Sequence, residues 1–196
     1  MNGWGNTVRV RFSIILVRHA QSVPPIPTGP NDYQRPLTKA GGIQAAGLTD
    51  RLADLEPGTI VSSPYLRAVQ TLEPAARVLG LQIHADGRLR EWDSGIAIGP
   101  DYERHYEQSW AHPQSARPGG ESLDELTQRA VTALLELGGS ASRPVLVGSH
   151  GTFVSRALLG VGCSGVDWGF HRAMPMPAIY RLDFDNRGVQ AAGPGL

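Results

Sequence analysis

The chain has 196 residues, which suits one domain with a sizeable core or at most two small ones, and its 18 basic side chains balance 18 acidic ones. A chain without net charge has no general attraction for a nucleic-acid duplex or an anionic membrane, so neither is an expected partner. Its one cysteine, Cys163, excludes an internal disulfide, and the sequence shows neither a signal-peptide segment nor a membrane-spanning apolar run. We therefore expect a cytoplasmic globular protein.

The first predicted strand covers residues 12–17, a continuous apolar run of the kind that is buried on both faces of a sheet. A loop rich in proline and glycine follows at 24–31. Thr38 is then placed to cap a helix that ends before Gly58. The apolar residues of this helix recur at helical spacing: Ala45, Leu48, Leu52 and Leu55.

The second strand is predicted at 59–61, and a helix follows it directly. Ser63 is the expected N-cap of that helix and Pro64 its first residue. Pro74 is expected to kink the helix and Gly80 to end it. The third strand is predicted at 81–84.

Residues 94–120 are rich in aromatic side chains and lack a clear period, so we expect an irregular excursion that lies over the functional edge of the sheet. The remaining elements are a helix that begins with a capping box of Ser122 and Glu125, a strand at 145–147, a helix through Val154, Ala157 and Leu158, and a last strand at 178–184. Strands that alternate with helices predict an α/β fold, with a mostly parallel sheet covered on both faces.

Loops that leave the C-terminal ends of parallel strands line one crevice, where ligands bind. Five side chains follow predicted strands in this way: Arg18 and His19 the first, Arg67 the second, Glu91 the third and His150 the fourth. Guanidinium forks match phosphate oxygens, and helix N-termini near Pro64 and Gly151 would add backbone donors. A neutral imidazole can attack phosphorus while a carboxyl group protonates the leaving oxygen. The pattern therefore favours phosphoryl transfer at this edge.

Each of these residues alone also fits a structural or surface role, and it is their coincidence at strand exits that favours function. The segment GVGCSG fits the glycine pattern of a dinucleotide-binding motif, but it ends a predicted helix, whereas that motif opens one. The segment VGSHG is not a nucleophile elbow, because it lacks that motif's first glycine. His19, His84 and His150 show no familiar metal-ligand spacing, so we expect neither a metal nor another cofactor. The remaining histidines are interpreted as structural or surface residues: His84, His105, His112 and His171.

The sequence resembles the histidine phosphatase superfamily, the phosphoglycerate-mutase-like enzymes, over nearly its whole length. The matching segments occur in family order: LVRHAQS, RPLTKAGGIQA, SSPYLRAVQT, LREWDSG, GGES and VLVGSHGTFVSRALLG. The resemblance implies a single domain over residues 1–196, folded as a three-layer α/β/α sandwich whose last strand is antiparallel at an edge. It also implies a phosphohistidine on His19, with Arg18, Arg67 and His150 holding the phosphoryl group and Glu91 as the acid and base.

The sequence departs from the family pattern at two positions. Ala20 stands where glycine usually follows the nucleophile. In this respect the sequence is more similar to the small phosphohistidine phosphatases of bacterial phosphorelays. Pro25 stands where many members have an asparagine that contacts the phosphate, so Ser22 and Gln21 are the candidate replacements.

A phosphatase is favoured over a mutase because the segment after Glu91 is short and lacks the basic string of the glycolytic mutases. A phosphohistidine protein phosphatase and a catalytically inactive phosphate-binding module remain as alternatives. The expected partner is a small phosphorylated metabolite or a phosphohistidine protein, and the oligomeric state stays open. Five further residues are expected to shape the substrate pocket with Gln21: Tyr102, Arg104, His105, Tyr106 and Trp110.

Overall fold

A computed structural model describes residues 12–25, 30–96 and 101–196, and these contain one six-stranded sheet. Its strands are β1 (Phe12–Arg18), β2 (Thr59–Ser62), β3 (Ile83–Ala85), β4 (Val145–Ser149), β5 (Ala178–Asp185) and β6 (Gly188–Ala192). The order across the sheet is β3-β2-β4-β1-β5-β6. The first four strands in this order are parallel to one another, whereas β5 and β6 are antiparallel to their neighbours.

Helices cover both faces of the sheet. They are α1 (Lys39–Gly47), α2 (Thr49–Ala53), α3 (Leu66–Leu79), α4 (Tyr102–Ala111), α5 (Leu123–Gly139), α6 (Gly151–Gly160) and α7 (Trp168–Ala173). One core cluster joins α5 and α6 to the sheet, and a second cluster joins α2 and α3 to the opposite face. The expected three-layer α/β/α sandwich is therefore confirmed.

The apolar run in β1 explains why the strand lies in the middle of the fold. Ile14 and Leu16 point into the core of α5 and α6, and Ile15 and Val17 into the core of α2 and α3. All four side chains are at most 1% exposed. Burial of each contributes about 1.5–3 kcal/mol, and the polar Ser13 in the same strand is hydrogen-bonded to Asp183.

The expected helix ends are largely confirmed. The Thr38 hydroxyl accepts a hydrogen bond from Gly41 N, and Ser122 and Glu125 form the capping box at the start of α5. Gly80 ends α3 in the left-handed conformation, with φ of 65°, which glycine adopts without steric cost. The helix runs through Pro74 without a break in its assignment.

Two expected helix boundaries are wrong. The helix after Thr38 is divided, because Leu48 N bonds to Ala45 O in a tighter turn beside Gly47, which is a weak helix former. The helix after β2 begins at Leu66 rather than at Pro64.

Three elements differ from the prediction in their position in the sheet or in their presence. The strand at 178–184 is antiparallel but not at the edge, because β6 pairs with it on the outside. The excursion at 94–120 contains the helix α4, and α7 was not expected at all. Parts of three other sequence features lie outside the described residues: the first eleven residues, 26–29 of the proline-rich loop and 97–100 of the excursion. Among the described helices, none is long and apolar enough to cross a membrane.

Candidate active site

The side chains expected at the strand exits meet at one edge of the sheet. His19 and His150 follow the neighbouring parallel strands β1 and β4, and their ring centroids lie 5.2 Å apart. Arg67 comes from the first turn of α3, and Glu91 from the segment after β3. Together with Arg18, three of these residues line a cavity of about 1080 Å³: His19, Arg67 and Glu91. His150 is fully buried next to His19 and is not part of the cavity lining.

The two ring nitrogens of His19 have different partners. Nδ1 lies 2.7 Å from the carbonyl oxygen of Ala20, and Arg67 Nε donates to Nε2 at 3.2 Å. Because a guanidinium only donates, Nε2 must carry the lone pair and Nδ1 the proton. Burial, together with the positive charges of Arg67 and Arg18, lowers the pKa of His19 to about 3, against the opposing effect of the Ala20 carbonyl. At neutral pH the imidazole is therefore uncharged, and its Nε2 lone pair accepts the Arg67 hydrogen bond.

Arg67 is held on three sides. Besides its bond to His19, its terminal nitrogens donate to Asp32, and its guanidinium lies over the ring of Tyr65 at 4.8 Å. The side chain is only 2% exposed, so its charge is kept next to the histidine at the floor of the cavity.

Arg18 approaches the same point from the end of β1. One terminal nitrogen donates to the carbonyl oxygen of Met174 at 2.5 Å. A side chain at Gly151 would bring its Cβ to 3.2 Å from the guanidinium carbon, so glycine makes room for the arginine there. Within the described residues, Arg18 Nε and His150 Nδ1 are buried without a hydrogen-bond partner. Unpaired buried nitrogens are costly in proteins, which makes them candidates for ligand contacts.

His150 is fixed through its other nitrogen. Its Nε2 shares a hydrogen bond of 2.7 Å with the hydroxyl of Ser63, and the ring packs edge-on against Tyr65. Burial and the nearby charge of Arg67 hold the pKa of His150 well below its ordinary value. The Ser63 hydroxyl also accepts a hydrogen bond from Tyr65 N at 3.3 Å, so it lies in the turn before α3, whose N-cap is Tyr65.

Glu91 occupies the N-terminus of α6. Its carboxylate accepts hydrogen bonds from the backbone N–H groups of Trp92, Thr152 and Phe153, at 2.9, 3.3 and 3.1 Å. In this structure the backbone donors that follow Gly151 therefore serve the carboxylate rather than a free anion site. A helix N-terminus stabilises negative charge, so the helix positions the carboxylate at the cavity wall.

The two residues that were candidates for the phosphate contact of the missing asparagine lie in different surroundings. Ser22 lines the cavity, and its hydroxyl accepts a hydrogen bond from Arg35 at 3.3 Å. Gln21 is exposed and lies outside the cavity lining, because its side-chain oxygen accepts from the Thr38 hydroxyl at 2.7 Å.

Only some of the residues that were expected to shape the pocket from the excursion at 94–120 lie at the cavity. Tyr102 and Tyr106 line the cavity, whereas Arg104, His105 and Trp110 do not. Arg104 lies on the exposed side of α4. Trp110 packs against the core, with Arg156 over its ring at 5.4 Å. The rotation of α4 about its axis, which the sequence does not reveal, decides which of these residues reach the cavity.

Sequence reasoning missed several residues that line the cavity. Arg35 is the first residue of the segment RPLTKAGGIQA, which was quoted for the resemblance but given no role, and Asp32 and Tyr33 lie just before it. Three more come from α7, where the Asp167 side chain accepts a hydrogen bond from Phe170 N as an N-cap: Trp168, His171 and Arg172. An aspartate cap was the one local signal that could have indicated this short helix. Within the described ranges, no cluster of three or more metal-ligating side chains occurs.

Comparison with known proteins identifies a protein family and a curated relative. The family model described as the histidine phosphatase superfamily (branch 1) matches residues 14–193. A protein of Salmonella paratyphi C named probable phosphoglycerate mutase GpmB is 39% identical over 127 residues, which is 59% of this chain and 58% of that protein. The match thus spans less than two thirds of the curated relative.

Solved structures share the fold over almost the whole chain. The mycobacterial glucosyl-3-phosphoglycerate phosphatase has a TM-score of 0.72 and 23% identity, covering 93% of this chain and 97% of its own. A phosphoserine phosphatase variant from Entamoeba histolytica has a TM-score of 0.71 and 19% identity, covering 93% and 96%. At these identities the likeness concerns the fold alone. With a family model that matches nearly all of its length, the chain belongs to the histidine phosphatase superfamily.

Proposed function

We propose that this protein is a metal-independent phosphatase that hydrolyses a small phosphomonoester through a phosphohistidine on His19. The observation that carries the proposal is the state of the His19 ring. Its unprotonated Nε2 lies 3.2 Å from Arg67 Nε on a residue that lines the cavity. Nε2 attacks once a phosphoryl oxygen takes over this hydrogen bond from Arg67, and the guanidinium then offsets the repulsion that the phosphoryl oxygens exert on the nucleophile.

The reaction has two steps. His19 Nε2 attacks phosphorus, the bond to the ester oxygen breaks, and Glu91 gives its proton to the leaving alcohol. Water then attacks the phosphohistidine while the Glu91 carboxylate takes its proton, the P–N bond breaks, and inorganic phosphate is released with neutral His19. Arg18, Arg67 and His150 stabilise the charge on the transferring oxygens, and the unpaired Arg18 Nε and His150 Nδ1 support this role.

A mutase is the second candidate, because the Salmonella relative carries that name. Three further arginines line the cavity, and a second anionic group on a substrate would need such charges. Each of them is paired with a carboxylate, however: Arg35 with Asp32, Arg90 with Glu121 and Arg172 with Glu103. The pairing leaves little free positive charge for a second anion, which favours a phosphatase.

The proposed substrate is a small molecule rather than a phosphohistidine protein. Side chains of α4 and α7 wall the cavity opposite the nucleophile, and the salt bridge between Arg172 and Glu103 joins these helices at 2.9 Å. A cavity of about 1080 Å³ lies at the upper end of the range of small-molecule pockets and suits a metabolite-sized leaving group.

Trapping the intermediate tests the proposal. Alkaline quenching during turnover of a radiolabelled phosphate ester should leave label on His19 that is stable in alkali and lost in acid. His19→Ala should abolish the label and lower kcat by several orders of magnitude, since loss of a catalytic nucleophile costs about 10⁶-fold elsewhere. His84→Ala, an exposed position on β3, is the matched control and should retain both.

Normal turnover by His19→Ala would refute the proposal. Binding of phosphate without turnover of any ester would identify a phosphate-binding module instead. With 3-phosphoglycerate as substrate, release of inorganic phosphate supports a phosphatase, and conversion to the 2-phospho isomer would assign a mutase.

A further inference from the structure

Asp32 occupies the donors of Arg67 that a phosphoryl group would need. Both terminal nitrogens of the guanidinium donate to this residue, one to its carbonyl oxygen at 2.7 Å and the other to carboxylate Oδ2 at 3.1 Å. The remaining nitrogen, Nε, is already bonded to His19. A planar guanidinium presents the same fork to a carboxylate as to two phosphate oxygens, so the two anions compete for it.

The carboxylate also has a second cationic partner. Arg35 Nε donates to Asp32 Oδ1 at 2.7 Å, and the same arginine anchors the segment through the Val23 carbonyl at 2.6 Å. The Asp32 side chain is 48% exposed, whereas those of Arg67 and Arg35 are 2% and 12% exposed. Asp32 can therefore leave Arg67 without burying an unpaired charge, because it keeps Arg35 and water as partners.

The carboxylate is not needed to hold Arg67 in place. The guanidinium is fixed by the bond to His19, by the ring of Tyr65 and by the carbonyl oxygen of Asp32 itself. The burial of the arginine adds to this restraint. The carboxylate accepts from both terminal nitrogens, at 3.3 and 3.1 Å, so removing its charge should weaken these two contacts while the carbonyl oxygen keeps the guanidinium in its orientation.

We propose that Asp32 is an internal competitor of the substrate phosphoryl group, held on Arg67 when the site is empty and left on Arg35 when a dianion binds. The proposal rests on the proposed function, since it takes the phosphoryl group to bind between Arg67 and His19. Its consequence is a phosphate site of reduced affinity, from which the product phosphate leaves more readily. A chain without this carboxylate would hold its product longer.

Isothermal titration with inorganic phosphate measures the competition directly. Asp32→Asn keeps the shape of the side chain and removes its charge, and it should bind phosphate about 1.5- to 5-fold more tightly, as expected for loss of a competing, partly exposed ion pair. Asp93→Asn is the matched control, because Asp93 is an exposed carboxylate that lines the same cavity without a hydrogen bond to Arg67. Its effect should be smaller than that of Asp32→Asn. Asp32→Ser provides a second variant, and thermal unfolding checks that each variant is folded.

The outcomes separate the inference from the proposed function. Weaker or unchanged binding by folded Asp32→Asn and Asp32→Ser, with binding by the native protein intact, would overturn the competitor role alone and assign Asp32 to positioning. An equal gain in Asp93→Asn would reduce the effect to the general charge of the cavity and would also overturn it. Failure of the native protein to bind phosphate would refute both proposals.

Discussion

The carboxylate of Glu91 is the residue on which the distinction between a catalyst and a phosphate binder depends. A binder gains nothing from a negative charge at the wall of an anion site, whereas an acid catalyst needs a group that can pass a proton to the leaving oxygen. The structure holds this carboxylate with three backbone N–H groups, from Trp92, Thr152 and Phe153. It is therefore fixed in position before a substrate arrives, as general acid catalysis requires.

Glu91→Gln should separate esters by the pKa of their leaving groups. An alkoxide needs a proton as it leaves, so hydrolysis of an alkyl phosphate should slow by about 10²- to 10⁴-fold. Nitrophenolate is a stable anion and leaves without a proton, so phosphohistidine should still form quickly from p-nitrophenyl phosphate. Its hydrolysis should be slow, because the base that takes the proton of the attacking water is gone. Rapid-mixing kinetics should therefore show a burst of nitrophenolate. Asp93→Asn, two residues along the same segment, is the control and should show neither effect. Equal losses on both esters without a burst would transfer the acid–base role away from Glu91.

At the scale of elements, the orientation of α4 decides which of its side chains line the cavity. Tyr102 lines the cavity with its ring 4.8 Å from that of Tyr106 and remains 38% exposed, so it has aromatic surface free for a ligand. Arg104 is two residues further along the same helix and points away. Sequence reasoning assigned both residues to the pocket, and the rotation of the helix separates them.

Tyr102→Ala should lower kcat/KM for benzyl phosphate about 2- to 10-fold more than for ethyl phosphate, because loss of one aromatic contact costs about 0.5–1.5 kcal/mol. The two leaving alcohols have similar acidity, so the ratio reports contacts rather than chemistry. Arg104→Ala should leave the ratio unchanged. A change of the ratio in Arg104→Ala, with none in Tyr102→Ala, would contradict the placement of α4.

Features that follow from a local sequence pattern could be predicted, whereas those that depend on contacts between distant parts of the chain could not. The strand exits were predictable because an apolar run such as that of β1 must be buried, and parallel strands deliver their following loops to one edge. The start of α3 was not, because the helix begins after Tyr65 without a side-chain cap, and the Ser63 hydroxyl bonds to Tyr65 N and to His150, far along the chain. The role of Asp32 depends likewise on where Arg67 and Arg35 meet, which no local pattern encodes.

At the scale of the whole molecule, the two buried histidines His19 and His150 and the half-buried His171 are uncharged at neutral pH. Burial lowers the pKa of His19 to about 3 and that of His171 to about 4, and it holds the pKa of His150 well below its ordinary value. In the unfolded chain all three titrate near 6.5. Between about pH 6.5 and 4 the unfolded state therefore binds more protons than the folded state, and the free energy of unfolding falls as pH falls.

Each such histidine should contribute a slope of about 1.4 kcal/mol per pH unit within this window. Urea unfolding of the native protein at a series of pH values from neutral to acid should show a steep loss of stability. His171→Gln removes one of the three groups, so its free energy of unfolding should fall less steeply, by about the contribution of one proton. Carboxylates titrate in the same range but cancel in the difference between the two proteins. His84→Gln, at an exposed site, should keep the native slope. Parallel curves for all three proteins would show that His171 takes up protons equally in the folded and unfolded states, and is not held neutral by its place in the cavity wall.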